Sequence, residues 1–247
     1  MADLRNYQTR TANAGAQAGT DIDQGLRTYM LRVYNLMALG LAITGLVAFF
    51  ASQAAFADGQ LTAFGQAIYV SPLKWVVMLA PLALVFFLSF RIHTMSVSAA
   101  QATFWVYAGL MGLSLSSIFL VYTGTSIATT FFASAAAFAG LSLYGYTTKK
   151  DLSGFGTFLI MGLVGIIVAS LINLFLRSDG LAFVISVGGV LVFAGLTAYD
   201  TQKIKGMYDY VAGTDMIGKA VIMGALTLYL DFINMFLFLL RLFGSRD

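Results

Sequence analysis

From Ile92 to Thr148 the chain carries no Asp, Glu, Lys or Arg. A bilayer is crossed by about 20 helical residues, so a charge-free run of that length must cross twice. Tyr122-Thr-Gly-Thr-Ser126 is the natural break. The remaining charge-poor runs are Val33 to Ala57, Trp75 to Phe90, Leu152 to Leu176, Gly180 to Tyr199 and Met216 to Leu240. The sixth is expected to continue through Asp200 toward Gly206, and the seventh is interrupted by Lys219 and Asp231. Soluble domains are about one quarter charged. Here charged residues make up 10% against 59% hydrophobic, with a mean hydropathy of +0.84. The expectation is an all-α integral membrane protein of seven transmembrane helices.

Residues 1–28 are polar and include Arg5, Arg10, Asp21, Asp23 and Arg27. A secretory signal would join a basic start directly to a short apolar run and a small-residue cleavage site. Here the apolar run starts near Met30 and is long enough to span. The reading is a disordered tail over 1–28 and a seven-helix domain over 29–247. With the N-terminus on the cytoplasmic side, only Lys74, Arg177, Arg241 and Arg246 fall on the far side among 14 Lys and Arg. That asymmetry fits the positive-inside rule. The C-terminus would lie outside, although Arg241 and Arg246 pull the other way.

With no cysteine, the chain has no disulfide, thiolate nucleophile or Cys-based metal site, and one histidine, His93, makes no His cluster. The acidic residues inside the spans carry the interest. Asp200 lies in Thr197-Ala-Tyr-Asp-Thr-Gln202 and Asp231 in Leu228-Tyr-Leu-Asp-Phe-Ile-Asn234. An ionisable residue within a membrane helix marks a function by default. The midpoint between the two falls in the polar run Asp209 to Asp215. A turn of roughly five residues there would leave each Asp ~19 Å from it at the helical rise. An antiparallel hairpin then brings the carboxyls level. About 4 Å apart in an effective dielectric near 20, two carboxylates repel by roughly 4 kcal/mol, so the pair is expected to hold one shared proton. Losing it would charge the site twice and part the helices or draw in a cation. The bland alternative is a structural pair that cross-links helices six and seven.

Candidate lining groups are Thr197 and Thr201 beside Asp200, Thr227 and Asn234 on the Asp231 face, and Ser114 on the third helix. Arg91 closes the second helix on the predicted cytoplasmic side and is the candidate counter-ion. Snorkelling to headgroups is the commoner fate of such an arginine. Calcium takes six to eight oxygens, more than two carboxylates and a few polar neighbours offer. The pair therefore suits transient passage of calcium better than storage. An intramembrane aspartyl protease would need a Gly-x-Gly-Asp, whereas Asp231 follows Leu228-Tyr-Leu. Gly154-Phe-Gly156 lacks the third glycine of a dinucleotide loop. No enzyme activity, cofactor or nucleic-acid partner is expected. Small-residue pairs at Gly112/Ser116, Ala136/Gly140 and Gly165/Ala169 would let helices approach closely, and Pro81 is expected to kink the second helix.

Tyr107-Ala-Gly-Leu-Met-Gly-Leu-Ser-Leu-Ser-Ser-Ile118, the two aspartate motifs and Leu239-Leu-Arg-Leu-Phe-Gly244 together resemble the Bax inhibitor-1 (transmembrane Bax inhibitor motif) family from about residue 29 onward. The resemblance implies a seven-helix bundle with the last helix central. It also implies a pH-sensitive calcium leak whose proton sensors would be Asp200 and Asp231, with Arg91 the nearest match to an arginine of the closed state. Bacterial relatives are linked to modulating a membrane protease, so a non-conducting regulator of such a partner is the rival expectation. An inner-membrane home, in contact with lipid, calcium and protons, completes the reading.

Overall fold

The computed structural model describes residues 2–57 and 59–246, with side chains from Gln24 onward. Seven helices are long and apolar enough to cross a membrane. They are α1 (Ala2–Ala55), α2 (Leu73–Arg91), α3 (Val97–Leu115), α4 (Gly124–Thr147), α5 (Ser153–Leu176), α6 (Asp179–Val211) and α7 (Ile217–Phe243). In α1 the apolar stretch is Gln24–Ala55. The tail expected over residues 1–28 falls mostly outside the described side chains, and residues 24–28 already belong to α1.

The breaks follow local chemistry. Ser96, Thr123 and Ser178 each stand in extended backbone ahead of a helix and accept from the amides of Ala99, Ser126 and Leu181 at 3.2, 3.1 and 3.3 Å. Such caps satisfy amides that the first helical turn leaves without partners. The α6–α7 turn contains Gly213 at φ +73°, a left-handed position that glycine takes without strain. Two features went unread in the sequence. The α1–α2 connection holds a two-residue hairpin, Phe56–Ala57 against Gln60–Leu61, and a π-helical turn, Gln66–Val70. The final stretch of the third span, Ser116–Leu120, tightens to a 3-10 helix. Pro81 lies buried inside α2, which continues through it as one helix.

Helix α7 is the most enclosed span, with 67% of its apolar window buried against 6% for α5. It packs on α6, α1, α4 and α3, while α5 packs on α6 and α2 on α3. The small-residue pairs divide. A Cβ on Gly112 would strike the Thr44 carbonyl and Val47 of α1, so this pair sets a close helix approach. Gly140 and Gly165 have open space where a side chain would go. A close α4–α6 approach uses a glycine outside those pairs: Gly145 lies against the Ala198 backbone. At the far end the C-terminal segment is fastened to the α3–α4 turn. Thr123 N donates to Ser245 O at 3.1 Å, Ser245 N to Ser126 Oγ at 2.9 Å, and the Arg246 guanidinium lies 5.9 Å from the Tyr122 ring centre. The start of the apolar stretch of α1 is at the opposite end, where Tyr29 packs on Tyr208 of α6.

Candidate functional site

Helices α6 and α7 meet at a five-residue turn, 212–216, so Asp200 and Asp231 lie ~17 and ~21 Å from their helix ends at the helical rise. The antiparallel pairing brings the two carboxyls within hydrogen-bonding reach of each other. Asp231 is 4% exposed because α7 is packed on most sides, and its Oδ2 has no hydrogen-bond donor among the described residues. Asp200 is half-buried. Lys203, one turn further along α6, is close enough to act on Asp200 electrostatically. Its place three residues on, a spacing at which helical side chains meet, was readable in the sequence and was missed there.

Both carboxyls line a crevice of about 610 Å³ between α5, α6 and α7. Thr227 and Asn234 line it too, as expected, together with Ser170 of α5. Asn234 also donates to Leu230 O on its own helix at 2.8 Å. The other expected lining groups lie elsewhere. Thr197 and Thr201 are fully buried and donate to Phe193 O and Thr197 O at 2.8 and 2.7 Å, back-bonding along α6. Thr201 also meets Ser142 of α4 at 2.9 Å, and Ser142 meets the Tyr34 hydroxyl of α1 at 2.6 Å, so this face of α6 is a polar seam turned away from the crevice. Ser114 lines a separate cleft beside Tyr69 and Trp75.

Arg91 is not brought to the pair. It is exposed at the end of α2, which packs on α3. The loop after it is held by Lys219 Nζ, which donates to His93 O at 2.8 Å. Lys219 and Asp231 are ~18 Å apart along α7, beyond the reach of an arginine side chain at that level. The height of Asp200 has a different support. Gln202 accepts from Leu152 N at 2.9 Å and donates to Lys150 O at 2.8 Å, and Lys205 Nζ donates to Tyr146 O at 2.9 Å. Across α7 from the crevice, Tyr229 shares a hydrogen with Thr44 at 2.6 Å, and Thr44 donates to Ala108 O at 2.9 Å. No group of three or more His, Cys, Asp or Glu that could hold a metal is present among the described residues.

Chemically, two carboxyls in reach of each other in a dry span can bind one proton between them or, once ionised, attract a cation. Comparison with known proteins bears on the family alone. Residues 26–247 match the sequence model described as "Inhibitor of apoptosis-promoting Bax1". The chain is 51% identical over 227 residues to the uncharacterized protein RP147 of Rickettsia prowazekii, covering 91% of this chain and 92% of that one. It is 48% identical over 250 residues to an uncharacterized protein of Caulobacter vibrioides, covering 100% and 99%. It is 49% identical over 224 residues to the inner membrane protein YbhL of Escherichia coli, covering 90% and 93%.

Proposed function

We propose, for a chain that belongs to the Bax inhibitor-1 family of membrane proteins, a pH-sensitive calcium leak gated by Asp200 and Asp231. The observation that carries the reading is the meeting of two carboxyls from consecutive spans within hydrogen-bonding reach. While they share a proton, α6 and α7 are held together. When the proton leaves, two negative charges face each other across a poorly screened interior, with repulsion on the order of 4 kcal/mol. The helices part and a divalent cation becomes the favourable neighbour. Thr227 and Asn234 add polar atoms, and water completes the shell during passage. The movement is assigned to α6 against α7, because α2 and Arg91 are remote from the pair. The protein is read as non-enzymatic, residing in an inner membrane as YbhL does, with its N-terminus cytoplasmic.

Reconstitution tests this reading. The purified protein alone in liposomes is expected to pass calcium at a rate that rises with pH, and Asp200→Asn and Asp231→Asn are each expected to flatten that profile. An unchanged profile in both variants overturns the gate. No calcium movement by the purified protein at any pH favours the rival, a non-conducting regulator of a membrane protease or another partner.

A further inference from the structure

The crevice that reaches the aspartate pair opens sideways. Its α5 wall includes Ile167, Leu171 and Leu174, which are 51, 55 and 69% exposed. In a spanning helix, such apolar exposure faces hydrocarbon rather than water. Phe193 and Phe238 line the crevice from α6 and α7. The trough therefore runs from two acidic groups in the interior along an apolar channel toward the end of the bundle that carries the C-terminus. Asp200 and Asp231 are both among its lining residues, and Asp231 Oδ2 is buried behind that lining without a donor among the described residues.

That combination selects a ligand. A buried acceptor without a partner is costly, and a hydrogen bond from a charged donor repays more than a neutral one. An ammonium offers donors only and a positive charge. The walls offer contact to a hydrocarbon chain, and the ~10 Å rise from Asp231 to Phe238 along α7 suits an extended alkyl segment. A volume of about 610 Å³ falls within the roughly 300–1,000 Å³ that encloses small organic ligands. We propose that this crevice binds a membrane-dissolved amphiphilic amine, its ammonium on the Asp200–Asp231 pair and its chain along Leu171, Leu174 and Phe238. An anionic amphiphile is excluded by the pair itself. The site rests on the crevice geometry and not on calcium passage, so it stands or falls separately from the leak.

The test uses the full chain in liposomes with dodecylamine as the probe. Dicyclohexylcarbodiimide, an apolar reagent, adds to a protonated carboxyl. The carboxyl oxygen bonds to the central carbon, the proton passes to nitrogen, and rearrangement gives an acylurea with nothing lost. Peptide mass spectrometry is expected to place this adduct on Asp200 or Asp231. Dodecylamine should slow total modification of the carboxyls by about tenfold, the size of one charged hydrogen bond. That total counts acylurea plus the dodecylamide that forms where the amine displaces dicyclohexylurea from the activated carboxyl. Dodecanol, with the same chain and no charge, and butylamine, with the charge and little chain, should each protect far less. A second measurement is independent of carboxyl reactivity. In Ile167→Trp, chain-brominated dodecylamine should quench the new indole more strongly than brominated dodecanol, after subtraction of the signal from Trp75 and Trp105. Absence of the adduct at both aspartates, equal protection by dodecanol, or equal quenching by the two brominated chains overturns the proposal.

Discussion

Gln202 and Leu152 are joined by a 2.9 Å hydrogen bond, and the other end of the Gln202 amide donates to Lys150 O at 2.8 Å. The clamp fixes the C-terminal half of α6 to the α4–α5 loop just beyond Asp200, and so sets the height at which Asp200 meets its partner. Gln202→Ala would leave the Leu152 amide and the Lys150 carbonyl without these bonds, at about 1 kcal/mol each. The expected result is a lower unfolding temperature in detergent together with a displaced pH response of calcium flux. Gln202→Glu retains the acceptor alone and should fall between the two.

The carboxyl pair makes stability itself depend on pH. In the wild type, alkaline conditions ionise both groups and set them against each other, by Coulomb's law on the order of 4 kcal/mol at most. Asp200→Asn and Asp231→Asn each remove that repulsion while keeping the side-chain shape. Detergent unfolding of the wild type should become easier as pH rises, and the curves of both variants should fall less steeply, since one wholly or partly buried carboxyl remains in each. Parallel curves for all three proteins would show that the two charges do not oppose each other.

Two cations are distinguishable by position. Lys203 acts on Asp200 from one turn away, whereas the loop following Arg91 is tied far down α7 at Lys219. Lys203→Gln should move the midpoint of the flux–pH curve. Arg91→Gln should leave that midpoint in place. The reverse outcome would mean that the conducting form brings α2 to the pair.

Helix spacing should respond to glycine identity. Gly112→Val drives a side chain into the Thr44 carbonyl and Val47, and Gly145→Val drives one into the Ala198 backbone. Overpacking of this kind costs about 1–3 kcal/mol or more. Gly140→Ala and Gly165→Ala meet open space and should leave the detergent melting temperature unchanged.

Tyr229→Phe deletes one hydroxyl from the bond to Thr44, while Thr44 keeps its bond to Ala108 O. Because one partner remains, the loss should stay near 0.5–1.5 kcal/mol. Thr44→Val, which strands the tyrosine hydroxyl as well, should cost more. Differential scanning calorimetry or thermal aggregation in detergent compares the two.

Charge-free runs located the seven spans, because a charge inside hydrocarbon is expensive enough to leave its mark on composition. The meeting of Asp200 with Asp231 was legible for a related reason: two straight helices joined by a short turn leave little freedom in register. What the sequence hid was direction around each helix. Thr197 and Thr201 neighbour Asp200 in the chain yet face α4, and Ser114 belongs to another cleft. In an almost uniformly apolar helix, polar periodicity is too faint to say which side faces a neighbour. For Arg91 two fates were open, pairing with the aspartates or snorkelling to headgroups, and only the Lys219–His93 tie reveals how far that end of α2 is from Asp231. The hairpin and π-helical turn before α2 arise from hydrogen bonding in a short connection, such as Thr62 N to Ala55 O at 3.0 Å, which no hydropathy pattern encodes.

The fastening of Ser245 and Arg246 to the α3–α4 turn bears on how the protein is handled. A reporter domain or affinity sequence grafted after residue 247 hangs from the same peptide that grips Thr123 and Ser126, so its drag is felt at the rim of two other spans. Placing such a fusion at the N-terminus spares that grip.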